Sequence, residues 1–329
     1  MSPFRPWLLG SNIFLKGPIT MPKSSFALEM IIRLSQYTPL GNSKRSFTTL
    51  KETFVEEGPL KSNESDQEAK RLDDFLDYFE GSLLEELRGM RILDFGCGYG
   101  GKAVALSKRL PTSTIIGVEP HQHKIDKAID FAMRSGVKSC SFKLCTQENI
   151  PLGDDSIDAL ISHDVIEHVH DPATTIKELH RVLRKGGKAY LVFPPYEGAL
   201  SHHLDFITLF PGLHWFWPAD TIMEIVNKLL STEYGKRFKS APQPLPTFSA
   251  YAGKRVLPSL NGLGTRSFER LAKPLFSIKS IERTTILEKL TRLGVSKKIA
   301  KEAGKSILKS IPAVSEHMTL SLVLVLEKR

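Results

Sequence analysis

Short apolar runs and amphipathic stretches alternate along the middle of the chain. Runs rich in apolar residues predict five strands, at 91–95, 113–119, 140–144, 157–162 and 188–193. Apolar residues at helical spacing predict one helix before the first strand and further helices after the first, second and fourth strands. This alternation predicts a parallel sheet with helices on both faces and a ligand at the carboxyl ends of the strands.

The predicted helices have recognisable boundaries. One spans 66–88, the next spans 102–110, and a third ends at Gly136. The fourth is capped by Asp171, has a proline in its first turn, and is expected to end at the glycine pair 186–187.

The pattern changes after residue 195. An aromatic-rich stretch comes first, and Pro and Gly recur over 242–264, where we expect irregular structure. Two later runs, 276–283 and 318–326, predict further strands. We divide the chain into four segments: a loosely ordered N-terminal extension (1–65) with one helix around 26–34, a ligand-binding core (66–195), an aromatic lid or substrate insertion (196–274), and last strands of the core with a basic helical insertion (275–329).

Composition indicates an ordinary globular protein. Of the 329 residues, 41% are hydrophobic and 25% are charged, which is enough for a sizeable core. The cysteines, Cys97, Cys140 and Cys145, have no C-x-x-C spacing, so we expect a reducing cytoplasmic location. Residues 1–50 lack the continuous apolar segment of a secretory signal, and an organelle transit peptide is the alternative to a cytoplasmic location.

The positive charge is concentrated late in the chain. The net charge is +9, and residues 236–309 contain seventeen Lys and Arg against four Glu. A solvated helical face is one explanation, and attraction to an anionic partner is the other. Peripheral contact with an anionic membrane is therefore a hypothesis that we favour over nucleic acid, and the sequence does not indicate an oligomeric state.

Candidate chemistry begins at the glycine-rich segment after the first strand. Gly96, Gly98 and Gly100 allow positive φ angles and a close backbone approach to a ligand. With Gly101, the segment also contains the dinucleotide pattern G-x-G-x-x-G. Two classes of ligand therefore compete for this loop, a dinucleotide and a cationic ligand. Asp94 distinguishes them, because a carboxylate there would repel the pyrophosphate of a dinucleotide and attract a cationic ligand.

The form D-x-G-x-G-x-G over 94–100 resembles the loop of Rossmann-like S-adenosylmethionine (SAM) methyltransferases. The segments Ile150-Pro151-Leu152, Glu167-His168-Val169-His170-Asp171-Pro172 and Leu183-Arg184-Lys185-Gly186-Gly187 are similar to the ubiquinone and menaquinone biosynthesis type, which is methyltransferase type 11-like, over about 88–195. The resemblance implies an α/β fold with a Rossmann-like seven-stranded, mostly parallel sheet, helices on both faces and an antiparallel last strand.

The same resemblance implies SAM as cofactor and methyl transfer to a small-molecule or lipid-like acceptor. Two alternatives remain at this point, an NAD(P)-dependent oxidoreductase that uses the same loop and a non-catalytic SAM-fold binding module. The implied cofactor-binding residues are Asp94, Gly96, Cys97, Gly98, Gly100, Glu119, Pro120, Thr146, Gln147, Glu148, Ser162 and His163.

Two of these positions need comment. Glu119 ends the second strand, where one carboxylate can accept hydrogen bonds from both ribose hydroxyls. It would serve a dinucleotide ribose equally well, or be a strand-end acid in solvent. Thr146 stands where the family usually has an acid for the adenine amino group, which is a departure from the pattern.

The acceptor side is predicted from residues that follow the fifth strand. His202 and His203 are candidate catalytic bases, with a surface pair as the alternative. Tyr196, Trp215 and Trp217 are candidate contacts to an apolar acceptor, with a hydrophobic cluster under a loop as the alternative. We expect no metal, because His163, Glu167 and His168 are spaced one residue too far apart for an inverted zincin motif.

Overall fold

The computed structural model describes residues 25–35, 64–79, 82–146, 149–204, 207–208, 210–232, 249–251, 254–288, 294–311 and 315–329. Most of the predicted N-terminal extension and two predicted cofactor residues, Gln147 and Glu148, lie outside these ranges. No helix in the described ranges is long and apolar enough to cross a membrane.

The described residues form nine strands and eleven helices. The strands are β1 (Arg91–Phe95), β2 (Thr114–Glu119), β3 (Cys140–Leu144), β4 (Ile157–His163), β5 (Leu183–Phe193), β6 (Ser249–Tyr251), β7 (Lys254–Val256), β8 (Phe276–Thr285) and β9 (Thr319–Lys328). The helices are α1 (Ser25–Ser35), α2 (Glu64–Asp77), α3 (Leu83–Glu86), α4 (Gly101–Arg109), α5 (Gln122–Arg134), α6 (Pro172–Val182), α7 (Leu213–Phe216), α8 (Ala219–Leu230), α9 (Thr265–Ala272), α10 (Lys297–Ser310) and α11 (Ser315–Met318).

Seven strands form one sheet in the order β3-β2-β1-β4-β5-β9-β8. Strands β1 to β5 pair in parallel, whereas β9 runs antiparallel to both β5 and β8. The expected α/β fold, with a mostly parallel seven-stranded sheet and an antiparallel last strand, is confirmed. The carboxyl ends of β1 to β5 therefore meet at one edge, where ligands bind in folds of this type.

Helices cover both faces of the sheet, as the alternation predicts. Within β1, Leu93 and Phe95 belong to a core with residues of α6 and α9, whereas Ile92 belongs to a core with residues of α2 and α4. This division follows from the two-residue period of a strand, which sends successive side chains to opposite faces. Both faces of β1 are buried, so the glycine-rich turn that follows it has a rigid support.

Besides the apolar cores on the two faces of the sheet, another apolar cluster lies outside the sheet, and we call it the second apolar cluster. Leu28 and Ile32 of α1 pack with Ile222 and Val226 of α8. An ion pair reinforces this contact, because Lys228 Nζ lies 2.6 Å from Glu29 Oε2. The helix predicted around 26–34 thus exists as α1, and it packs against the insertion that follows β5.

Three local expectations were wrong. The helix expected over 66–88 is divided into α2 and α3, and part of the stretch expected to be irregular forms the β6–β7 hairpin. The glycine pair 186–187 does not end a helix but lies inside β5, where the register with β4 shifts. A Cβ at Gly187 would lie 2.8 Å from Arg184 O, so glycine is needed for a bulge and not for a helix end.

Candidate functional site

The glycine-rich turn between β1 and α4 is held in one conformation by backbone contacts. Gly96, Gly98 and Gly100 have φ angles of 75°, 55° and 77°, a region that favours glycine. The N–H groups of Gly96 and Cys97 both donate to Val118 O at 3.0 Å, which fixes the turn to β2. The turn is therefore preformed, and its glycines allow neighbouring side chains such as Val165 and Phe142 to pack closely against it.

Asp94 is a buried acid that stands directly before this turn. Its side chain is fully buried, and neither carboxylate oxygen has a hydrogen-bond partner among the described residues. Burial raises the pKa of Asp94, the nearby Lys102 opposes the shift, and Glu119 adds to it. A buried carboxylate without partners is costly, so the position suits a ligand that brings positive charge or hydrogen-bond donors.

Glu119 closes the opposite side of the turn, at the end of β2. Its Oε2 accepts a hydrogen bond from Gly98 N at 3.3 Å, and its Oε1 lies 2.7 Å from His121 Nδ1 and 3.3 Å from Lys124 Nζ. Burial favours a raised pKa, but His121 and Lys124 outweigh it and keep the pKa of Glu119 below its usual value. The ionised carboxylate faces the glycine turn and keeps acceptor capacity for ligand hydroxyls.

Glu68 of α2 is a site residue that the sequence analysis missed. Its two carboxylate oxygens accept hydrogen bonds from Tyr99 N and Gly101 N, each at 3.0 Å. Burial outweighs these hydrogen bonds and raises the pKa of Glu68 to about 7. The acid thus occupies N–H groups at the start of α4, but it lies 31 and 33 residues from them, so no local pattern signals it.

The end of β4 contributes Ser162 and His163 to the same edge. Ser162 Oγ donates to Phe95 O at 3.2 Å, which ties β4 to β1. The His163 ring is buried, with the Phe75 and Tyr78 rings 5.4 and 5.8 Å away, and burial lowers the pKa of His163 to about 3. Both residues lie beside the glycine turn, but these contacts join them to other parts of the protein and not to a ligand.

The remaining described cofactor candidates differ in exposure. Pro120 and Thr146 are exposed at the ends of β2 and β3, at the same edge of the sheet as the glycine turn. Cys97 is buried, and burial raises the pKa of its thiol well above the usual value. Cys97 therefore fills space under the turn as a neutral group.

The two predicted catalytic histidines have different environments. The buried His202 ring has both nitrogens engaged, because Nε2–H donates to Phe210 O at 3.1 Å and Nδ1 accepts from Leu204 N at 3.0 Å. His203 has a φ of 53°, and its ring centroid lies 5.0 Å from that of His168, which follows β4. Of the pair, His203 is the one placed beside a residue that follows β4.

The predicted acceptor contacts pack within the insertion. Trp215 Nε1 donates to Glu197 O at 3.0 Å, and Tyr196 lies with its ring 5.3 Å from that of His214. Tyr196 and Trp217 also pack against the second apolar cluster. These contacts fit the hydrophobic-cluster alternative at least as well as an open lid.

The turn that follows β4 is held by a residue of the insertion. The buried Asn261 side chain donates from Nδ2 to Ile166 O at 2.8 Å and to Val169 O at 2.9 Å. Asn261 N also donates to Glu167 O at 2.9 Å. The turn therefore has a fixed backbone, and the insertion forms part of the site.

Comparison with known proteins shows which proteins this edge of the sheet resembles. Residues 93–191, which contain the glycine turn and the ends of β2 to β5, match the model of a family described as methyltransferase domain. This part of the chain is therefore similar to methyltransferase domains. The match does not single out the ubiquinone and menaquinone type, so that finer prediction stays a prediction.

Curated relatives resemble the methyltransferase domain and little else of the chain. An uncharacterized methyltransferase of Schizosaccharomyces pombe is 37% identical over 103 residues, which cover 30% of this chain and 37% of the relative. YcgJ of Bacillus subtilis, also an uncharacterized methyltransferase, is 33% identical over 117 residues, covering 35% and 46%. Sterol 24-C-methyltransferase erg6 of Aspergillus fumigatus is 31% identical over 118 residues, covering 36% and 30%. The chain spans less than half the length of these relatives.

The cofactor implied by the methyltransferase domain is SAM, and the residues present fit it. SAM carries a sulfonium and an amino group, which suit the buried, unpartnered carboxylate of Asp94. Its ribose hydroxyls suit the ionised Glu119, which faces the glycine turn.

Proposed function

We propose that this protein is a SAM-dependent methyltransferase that acts on a small-molecule or lipid-like acceptor. The observation that carries the proposal is the buried carboxylate of Asp94 at the glycine turn, which lacks a hydrogen-bond partner among the described residues. A cationic cofactor compensates this charge, whereas the pyrophosphate of NAD(P) would be repelled by it. The oxidoreductase alternative is therefore disfavoured.

Two groups of loops at the carboxyl edge of the sheet have different roles in the proposed reaction. The loops after β1 and β2 hold the cofactor, which supplies an electrophilic methyl group when it is bound. The loops after β4 and β5 face the side from which an acceptor approaches. Holding the acceptor atom in line with the methyl group accounts for much of the acceleration in this class of reaction.

His203 is the better placed of the two proposed bases. Burial lowers the pKa of His203 to about 3, so its ring is neutral at physiological pH and accepts a proton only weakly. His202 has no ring nitrogen left over from its backbone contacts. Of the two predicted catalytic residues, His203 therefore remains the proposed contact to the acceptor, and His202 has a supporting role.

A lipid-like acceptor fits the apolar character of the insertion. Tyr196, Trp215 and Trp217 remain the proposed acceptor contacts, and two of them, Tyr196 and Trp217, pack against the second apolar cluster. The sterol 24-C-methyltransferase relative acts, by its name, on a sterol. Helix α10 presents the exposed side chains of Lys298, Lys305 and Ile299, a combination that suits an anionic membrane surface.

Calorimetric titration with SAM and with NADPH tests the proposal. We expect SAM to bind and NADPH not to bind, and we expect at least tenfold weaker SAM binding by Asp94→Asn. Asp130→Asn, at an exposed position of α5, is the matched control and should bind SAM like the wild type. Tighter binding of NADPH, or equal SAM affinity in Asp94→Asn, would overturn the assignment.

Transfer of label from methyl-labelled SAM then tests the acceptor class. We expect labelled product with sterols or quinols in detergent micelles, and little with water-soluble amines. Labelling confined to water-soluble acceptors would refute the lipid-like class and leave the cofactor assignment intact.

A further inference from the structure

We propose that Glu167, His168 and His203 form a binding site for a divalent transition-metal cation beside the cofactor loop. Each residue offers one ligand atom, and these atoms all lie within 4.8 Å of one another. The sequence analysis expected no metal because it weighed only residues that are neighbours in the chain. The fold adds His203 from the loop after β5, and His163 is not part of this cluster.

Glu167 supplies an anionic group that the described residues do not compensate. Its side chain is 4% exposed, and neither of its carboxylate oxygens has a hydrogen-bond partner there. The neighbouring Asp164 pairs with Arg71, so that cation is already engaged. A buried carboxylate is stable only when it is neutralised, paired or coordinated to a metal, and Glu167 is therefore set up to receive a positive charge.

The His168 ring points a lone pair at the same carboxylate. Its Nδ1 lies 2.8 Å from Ser259 O, and because a carbonyl only accepts, Nδ1–H must be the donor. In the neutral ring Nε2 then carries a lone pair, and it lies 3.7 Å from Glu167 Oε1. Two acceptors that face each other repel unless a cation or a proton lies between them.

The surroundings of His168 resemble those of metal ligands in general. Metal-ligating histidines almost always donate their second ring nitrogen to a carbonyl, a carboxylate or water, which fixes the tautomer. Ser259 provides this carbonyl, and Asn261 clamps the turn on either side of His168 through Ile166 O and Val169 O. The two ligands on this turn are thus held in place before any ion arrives.

His203 completes the cluster from a strained backbone position. Its φ of 53° is uncommon for a residue other than glycine, and Asp164 and Ser259, at 56° and 64°, share this feature. Three such residues around one cluster agree with the concentration of backbone strain at functional sites. The position of the His203 ring, 5.0 Å from that of His168, is therefore specified by the fold.

The donor set selects the class of metal. Two imidazoles and one carboxylate suit Zn²⁺, Co²⁺ or Fe²⁺ better than Mg²⁺ or Ca²⁺, which prefer oxygen ligands. Ligand atoms about 2.1 Å from a tetrahedral ion are about 3.4 Å apart, so a small contraction of the cluster would bring all three into range. The side chain of His168 is 35% exposed, which gives an ion a route from solvent.

Three protein ligands leave a coordination position open. Catalytic zinc sites share this feature and use the position for water or substrate. If the proposed methyltransferase function holds, an oxygen of the acceptor is the natural occupant, because the cluster lies at the ends of β4 and β5.

Titration of the full chain with Co²⁺ tests the site without reference to catalysis. After chelator treatment, we expect one Co²⁺ per chain with the visible absorption of a low-symmetry complex, and displacement of this ion by Zn²⁺. His168→Ala and His203→Ala should each weaken Co²⁺ binding at least tenfold, and Glu167→Gln should do the same. His170→Ala, at an exposed position of the same turn, and His123→Ala, on α5, are the controls and should bind like the wild type.

Circular dichroism melting of each variant shows whether it is folded, and the two histidine variants suffice if Glu167→Gln does not fold. Absence of stoichiometric Co²⁺ binding would overturn the proposal. A proton on Glu167, and not a metal ion, would then lie between its carboxylate and His168 Nε2. Binding that survives both histidine substitutions would also overturn it. A chain that binds Co²⁺ but not SAM would refute the proposed function and leave the metal site standing.

Discussion

Glu119 and Glu167 show how two halves of one site differ. Both acids stand at the carboxyl edge of the sheet, Glu119 at the end of β2 and Glu167 after β4, and their side chains are 6% and 4% exposed. Glu119 is met by a backbone N–H and two basic side chains, whereas Glu167 has no hydrogen-bond partner among the described residues and faces a histidine lone pair. The protein thus compensates Glu119 itself and leaves Asp94 for the cofactor, while in the acceptor half it leaves the Glu167 carboxylate for something else to compensate.

The two halves also differ in how far apart their residues lie in the chain. The glycine turn and Glu119 belong to one strand–helix–strand unit, β1-α4-β2. The acceptor half combines the turn after β4, the loop after β5 and the segment around Ser259 and Asn261. A local unit can be recognised from a short motif, but a site built from three distant segments cannot.

The largest effect in the cofactor half should come from Gly98→Val. A Cβ at Gly98 would clash with the Glu68 carboxylate, and the φ of 55° is unfavourable for valine. We expect at least 100-fold weaker SAM binding in calorimetry. Gly136→Val is the control, since Gly136 also has a positive φ but a Cβ there would meet nothing within 4 Å.

Gly136→Val should lower stability by about 1 kcal/mol through backbone strain and leave SAM affinity unchanged. Equal losses of SAM affinity in the two glycine variants would mean that strain, and not the ligand site, determines the effect.

The next effect concerns Glu119. We expect Glu119→Ala to weaken SAM binding by about 1.5 to 3 kcal/mol, because hydrogen bonds to a charged group are lost. Glu85→Ala, at an exposed acid of α3, should bind SAM as the wild type does. A neutral result for Glu119 would reduce its role to pairing with His121 and Lys124, and the comparison with Glu167 would lose its functional meaning.

A smaller effect should appear in the pH dependence of stability. The pKa of Glu68 is raised to about 7, so the folded chain holds a proton that the unfolded chain has released at that pH. The free energy of unfolding should therefore fall as pH rises from about 4.5 to 7, and Glu68→Gln should make this dependence weaker. Glu68 is partly exposed, so we expect about 1 to 2 kcal/mol from urea melts across this range.

Glu85→Gln, which changes an exposed acid of similar charge, should retain the pH dependence of the wild type. If the free energy of unfolding of Glu68→Gln falls with pH as steeply as that of the wild type, groups other than Glu68 titrate between about pH 4.5 and 7.

The smallest effect concerns the basic helix α10. We expect tighter binding to vesicles with anionic lipid than to neutral vesicles, with the difference shrinking as salt rises. Lys305→Gln should reduce the affinity for anionic vesicles by about 1 kcal/mol, or roughly fivefold. Lys108→Gln, at an exposed position in the last turn of α4, should have no effect. Equal binding to both vesicle types would exclude the membrane contact and favour a water-soluble acceptor.

The sequence by itself determined the features that depend on local physical constraints. The short apolar runs and the helical spacing of apolar residues between them predicted β1 to β5 and the parallel sheet. The need for positive φ angles predicted the turn at Gly96, Gly98 and Gly100, and an acid at a strand end predicted the position of Glu119. Each of these signals is complete within about ten residues.

Only the tertiary structure decided which distant groups meet. Glu68 reaches the start of α4 from another helix, α1 shares an apolar cluster with α8, and the Glu167 carboxylate lies beside His203. The sequence also misplaced the pair 186–187, since a glycine that ends a helix and one that permits a bulge look alike until the neighbouring strand is in place. The physical reason is the same in each case: hydrogen-bond partners, burial and charge compensation are properties of the folded surroundings and not of the neighbouring residues in the chain.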